Sequence, residues 1–135
     1  MPTTFEGGCL CGSVRYVCTA KPVHTFFCHC LDCQKESGAP FVSEVYVPRS
    51  SVKITGTMSK YTRTGDSGRS VHRNFCRSCG SVILTEFEVD PDSVCVKACS
   101  LDDASWLTPD FHLYITRKQP WLKLSDGLPQ FDRDF

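Results

Sequence analysis

The sequence predicts a mainly β domain, antiparallel sheets with one or two short helices, held together by metal rather than by disulfides. Three observations carry this. Short runs of β-branched and aromatic residues recur between turn signals along most of the chain. Ten of the 135 residues are cysteines, and seven of them fall at chelating spacings: Cys9-x-Cys11, Cys28-x-Cys30-x-x-Cys33 and Cys76-x-x-Cys79. The length gives one domain, residues 1–135, with a modest core.

Taken in order, Gly7 to Gly12 reads as a turn bearing two thiols, since its glycines let the backbone curl and point N–H groups at sulfur. Ser13–Cys18 alternates as a strand, and Val23–Phe27 continues the β signal after Lys21-Pro22. Cys30 to Ser37 is helix-compatible, stopped by Gly38 and Pro40, which sets Cys33 in the first turn. Phe41–Val47, Val52–Thr55 and Met58–Thr62 are strands, followed by a loop at Thr64–Gly68. Arg69–Phe75 leads into the Cys76 knuckle. Val82–Leu84 and Val94–Val96 are strand centres separated by a turn at Asp90-Pro91-Asp92. Leu101–Trp106 is expected as a second short helix capped by Asp102, Phe111–Ile115 as the last strand, and the tail as an apolar loop.

The N-terminus lacks a basic stretch followed by an apolar run, and no segment approaches the ~18 apolar residues of a membrane span. The expected address is the cytoplasm, where thiols stay reduced, and a disulfide between cysteines one residue apart would close a very tight ring. Fifteen basic side chains balance fifteen acidic ones. That excludes the basic field of a nucleic-acid or membrane binder.

The spacings sort the thiols. Cys9, Cys11, Cys76 and Cys79 make a closed four-thiolate cage, its charge offset by backbone N–H groups with Arg15 or Arg77, and its role structural. Cys28, Cys30 and Cys33 supply only three ligands, the mark of a catalytic-type zinc, unless His29, His24 or His72 closes the site as a fourth. The expected metal is zinc, two per chain. Cys18, Cys95 and Cys99 fall at apolar strand positions and read as core.

A zinc held by three thiolates suits capture of a soft ligand, so a substrate thiol could be held beside an aldehyde to form or cleave an S-hydroxyalkyl adduct. His72, four residues before Cys76 on a strand, is the candidate proton carrier. A zinc-stabilised binding module without turnover, or a redox-labile thiol sensor, uses the same cysteines.

Several motifs together resemble the glutathione-dependent formaldehyde-activating enzyme family, which includes centromere protein V relatives and has a zinc-bearing β-tent fold. They are Gly8-Cys9-Leu10-Cys11-Gly12 with Val14-Arg15-Tyr16, Cys28-His29-Cys30 with Cys33 and Ser37-Gly38, Phe75-Cys76 with Cys79-Gly80, Ser100-Leu101-Asp102-Asp103, and Pro120-Trp121 with Asp126-Gly127-Leu128-Pro129. The resemblance implies a structural zinc on Cys9, Cys11, Cys76 and Cys79, and a catalytic-type zinc on Cys28, Cys30 and Cys33. It further implies a carbon–sulfur lyase resembling S-hydroxymethylglutathione synthase, with a small thiol such as glutathione and formaldehyde or another aldehyde as partners. Where the family often has a basic pair after the third of these cysteines, this chain has Gln34-Lys35.

Overall fold

The computed structural model describes residues 3–134. Two sheets lean against one another. Strands β1 (Phe5–Gly8), β2 (Arg15–Cys18) and β5 (Val52–Thr55) form a three-stranded antiparallel sheet in the order β1-β2-β5. The larger sheet holds β3 (His24–Cys28), β4 (Val42–Pro48), β6 (Met58–Thr64), β7 (Ser70–Cys76), β8 (Val82–Phe87), β9 (Asp90–Lys97) and β10 (Phe111–Leu113). Their order is β10-β3-β4-β9-β8-β7-β6, antiparallel except where β10 runs parallel to β3. Among the described residues there is one α-helix, α1 (Leu31–Ser37), after β3, so the expectation of a mainly β fold with one or two short helices holds at its lower count.

Alternation along β4 and β9 divides the large sheet into two faces. Val45, Val47, Val94 and Val96 pack with Phe5, Tyr16, Cys18 and Val52 of the small sheet, and this inter-sheet layer is the main core. Glu44 and Tyr46, and across from them Lys97 and Cys95, take the opposite face. At β8 the pairing jumps from Asn74↔Leu84 to Phe75↔Val82, leaving Ile83 as an extra residue. That bulge buries both Ile83 and Leu84, at 1% exposure each, where strict alternation would bury one.

Several expected elements fall elsewhere. Phe5–Gly8 is a strand rather than the start of a turn, and a Cβ on Gly7 would lie 2.3 Å from both the Tyr16 hydroxyl and the Ser100 carbonyl oxygen. Close approach, not turn geometry, demands that glycine. The β8–β9 turn lies at Glu88-Val89, and Asp90, Pro91 and Asp92 already belong to β9. Leu101–Trp106 is not a helix. Asp102 forms a bidentate pair with Arg15 at 2.8 and 2.5 Å, while Asp103 accepts from the Ser105 N–H and hydroxyl in an Asx-type turn. A single 3-10 turn, Ala98–Ser100, precedes them instead. Of the three cysteines expected in the core, Cys18 is buried there, whereas Cys99 is exposed and Cys95 faces the other side of the sheet.

The last strand ends at Leu113, and a 3-10 turn covers Ile115–Arg117. Beyond it the tail returns along β10. The N–H of His112 donates to Pro129, that of Phe131 to His112, and that of Tyr114 to Arg133, at 2.9, 2.9 and 3.2 Å. The chain end thus covers the free edge of β10. Among the described residues no helix is long and apolar enough to cross a membrane.

Candidate metal centres and cavity

Each cysteine cluster can hold a metal ion. In the first, the sulfurs of Cys9, Cys11, Cys76 and Cys79 all lie within 4.8 Å of one another. Cys9 and Cys11 are 3.6 Å apart and Cys11 and Cys76 3.8 Å. A tetrahedral metal with Zn–S bonds of ~2.3 Å sets its sulfurs about 3.8 Å apart, so this set is already at the spacing such an ion demands. The local backbone explains why. Gly12, at φ +81°, turns its N–H back to the Cys9 carbonyl, and Gly80, at φ +80°, does the same to Cys76. Backbone N–H groups then point at sulfur: Val14 at Cys9, and Ser78 and Cys79 at Cys76, at 3.2–3.4 Å.

Charge is set by the same neighbours. The Ser81 hydroxyl, 3.3 Å from its sulfur, holds the Cys79 thiol down at about 5. Burial pushes Cys9 up, but the Val14 N–H and the adjacent Cys11, Cys76 and Ser13 outweigh it and leave the thiol lowered to about 7. Arg15, expected to offset this cage, is engaged by Asp102.

The second cluster forms where β3 ends and α1 begins. Cys28, Cys30 and Cys33 bring their sulfurs within 4.8 Å, with Cys28 and Cys33 buried. Cys30 is the helix N-cap, and its sulfur accepts the Cys33 N–H at 3.3 Å, taking the place usually held by a serine or aspartate oxygen. The neighbouring Cys28 and Cys33 thiols drive Cys30 far down, while Cys30 drives Cys28 up and Cys28 drives Cys33 up.

Among the described residues this cluster has three ligand atoms, not four. His29 turns its ring away, Nε2 lying 2.9 Å from Nδ1 of His112, whose Nε2 meets Asp126 at 2.7 Å. Burial and the adjacent His112 lower the His29 pKa to about 4, so its ring is neutral at pH 7. His24 packs on Tyr46 and Phe111. His72 stands apart from the cluster: its Nδ1 lies 2.7 Å from the Thr62 hydroxyl. Its neighbours Val71 and Arg73 line the cavity beside the cysteines and His72 does not, because consecutive strand residues face opposite sides of a sheet. His72, the candidate proton carrier, thus lies on the face of β7 turned away from the cavity.

That cavity, about 740 Å³, lies over the second face of the large sheet, with Cys28, Cys30 and Cys33 in its wall. Four charged side chains brace it beneath α1. Glu36 holds Arg73 and Lys97, each at 2.5 Å, and Lys97 also holds Glu44. All four are nearly buried, so the network ties the helix carrying Cys33 to β4, β7 and β9. On the far side Tyr114 packs against the cluster of Cys28, Cys33 and Val42 and lines the cavity, as does Asp66. Tyr114 is the one described non-glycine residue at positive φ (58°). Its N–H bonded to Arg133 and its carbonyl bonded to Arg117 hold it there.

Sequence reasoning missed these groups. The usable signal was Glu44 alternating with Val45 and Val47, a charge inside an apolar strand. Gln34, noted only as the absence of an arginine, donates to the carbonyls of His29 and Arg117 and accepts from Gln119.

A crystallographically determined protein of Rhodobacter sphaeroides has a similar fold, with 19% identity, a TM-score of 0.58, and coverage of 77% of this chain and 91% of that one. The sequence matches the family described as glutathione-dependent formaldehyde-activating enzyme over residues 4–117, a span that includes both cysteine clusters. On that match the chain belongs to the glutathione-dependent formaldehyde-activating enzyme family.

Proposed function

We propose that the protein is a zinc-dependent carbon–sulfur lyase that forms or cleaves thiol–aldehyde adducts of the S-hydroxymethylglutathione kind. Cys9, Cys11, Cys76 and Cys79 hold a structural zinc, and Cys28, Cys30 and Cys33 a catalytic one. The observation that carries this reading is the three-sulfur cluster in the wall of a 740 Å³ cavity, with no fourth ligand among the described residues. An all-sulfur donor set selects a soft or borderline ion, which zinc satisfies. When bound at the triad, zinc supplies a seat that favours the thiolate form of an incoming thiol.

The chain's residues supply the rest. The thiolate sulfur attacks the aldehyde carbon, the S–C bond forms, and the carbonyl π pair moves to oxygen, which ends as a hydroxyl. The proton lost by the thiol balances the one gained by that oxygen, so no further co-reactant is needed. The Tyr114 hydroxyl, beside the triad, is the donor that steadies the developing oxyanion. Arg117 and Arg133 at the cavity wall provide cationic contacts for the carboxylates of a glutathione-like thiol, in place of the arginine absent at position 34.

The test is direct. Zinc-loaded protein should accelerate adduct formation from glutathione and formaldehyde, or adduct breakdown, above the uncatalysed rate. Cys30→Ser should abolish the acceleration while the domain stays folded with one zinc. If wild-type protein with two zincs accelerates neither direction with glutathione or a simple alkyl thiol, the lyase reading is wrong and a binding module replaces it.

A further inference from the structure

We propose that Asp126, His112 and His29 form a positioning relay that fixes the Cys28–Cys30 segment from behind, its outer end supplied by the C-terminal tail. The proposal rests on the reading of the triad as a metal site and goes beyond it, because none of the three residues is a ligand. His29 stands between two of the thiols, and three hydrogen bonds tie it to two elements, β10 and α1. Its N–H donates to Leu113 of β10 at 3.0 Å, its carbonyl accepts from Gln34 of α1 at 2.7 Å, and its Nε2 meets His112 Nδ1 at 2.9 Å. His112 Nε2 continues to Asp126 Oδ2 at 2.7 Å, and the other Asp126 oxygen accepts the Leu128 N–H at 3.0 Å.

The carboxylate fixes the direction of the whole relay. An ionised Asp126 can only accept, so His112 Nε2 carries a proton, and in that tautomer its Nδ1 accepts. His29 Nε2 is then the donor, and His29 Nδ1 is left as a bare lone pair. That atom is the buried one in the His29 ring with no partner, and an unmet acceptor there replaces an unmet N–H. Both rings are sealed, at 0% and 1% exposure, against Phe27 and Phe41. A carboxylate–histidine–histidine chain whose two rings are buried and which ends on the residue between two ligands does for a thiolate site what outer hydrogen-bond partners do for histidine ligands: it orients them. Asp126 lies beyond residues 4–117 that match the family, and the tail docks it through the Pro129–His112 hydrogen bond.

Cobalt(II) titration of the full chain, read by sulfur-to-cobalt charge-transfer absorption, tests this, with Cys30→Ser identifying the signal of the four-cysteine cage. Asp126→Asn keeps the shape but allows the reversed relay; it should weaken the triad about tenfold and leave the cage affinity and Tm unchanged. Asp126→Glu, which restores the carboxylate, should recover most of the loss. His112→Asn cuts the relay one step further in and is read the same way, so a misfolded Asp126 variant does not decide the matter. Unchanged affinity in the relay variants, or equal weakening of both sites with a lowered Tm, overturns the relay alone. A wild-type chain that binds one cobalt overturns the metal reading of the triad and the relay with it.

Discussion

The side-chain amide of Gln34 donates to the carbonyl oxygen of His29 at 2.7 Å, pinning the first turns of α1 to the peptide between Cys28 and Cys30. The same amide reaches Arg117 at 2.9 Å, and its oxygen accepts from Gln119 at 2.7 Å. Gln34→Ala removes all three hydrogen bonds and leaves two carbonyls unmet, so it should lower stability by about 1–3 kcal/mol. Lys35→Ala, one residue on but exposed, should change stability by less than about 0.5 kcal/mol. Urea unfolding of the two variants measures the contrast, and equal losses would contradict the bracing role of Gln34.

The four cysteines join the turn between β1 and β2 to the knuckle between β7 and β8, so a metal held by them would clamp the two sheets together. Cys76 is fully buried beside the inter-sheet core. Cys76→Ser should lose one metal and cooperative thermal unfolding together, since a structural site is part of the folding free energy. Cys30→Ser should lose one metal and keep a cooperative melt. Metal counts per chain and far-UV circular dichroism melts give both readouts.

Glu44 gives a pH test. It is buried, one oxygen is held by Lys97, and the other has no partner. Burial pushes its pKa up against the pull of Lys97, with Glu36 raising it further and Arg73 lowering it. A folded pKa above the unfolded value of ~4.3 means that folding favours the protonated form, so the contribution is fully present below ~4.3 and is lost as pH rises through the folded value. Glu44→Gln removes that titration. Its stability relative to wild type should therefore increase as pH rises above ~4.3. Denaturant melts across that range measure the change, and a gap that narrows with rising pH would reverse the sign argued here.

The cysteine clusters were legible because chelation is local: one- and two-residue spacings bring sulfurs together whatever the sheets do, and only the Cys9–Cys76 union needed the fold. The alternation of Val45 and Val47 was legible for the same reason. What stayed hidden depends on partners far along the chain. Asp102 has the profile of a helix cap until Arg15, 87 residues away, takes both of its oxygens. Asp90-Pro91-Asp92 has turn composition, yet a bulge beside Phe87 lets the proline start a strand. His72 was a matter of parity, since one residue either way would have faced the cavity. Asp126 stood out only as part of the Asp126-Gly127-Leu128-Pro129 motif and Tyr114 not at all, because their contacts exist only once the tail lies along β10.

Tyr114 takes the place at the cavity that sequence reasoning gave to His72. Its left-handed backbone costs of order 1–3 kcal/mol, held by two hydrogen bonds, and directs the ring over Cys28 and Cys33. Tyr114→Phe keeps the ring and the backbone and removes only the hydroxyl. If the phenol stabilises the developing oxyanion, kcat for adduct formation should fall by about 10²–10³, with metal content and Tm unchanged. KM for the thiol should change little, because the lost interaction forms with the aldehyde oxygen in the transition state. Steady-state kinetics on zinc-loaded protein separate the two constants. A rise in KM at constant kcat would instead assign Tyr114 to substrate binding, and wild-type kinetics would remove it from the chemistry.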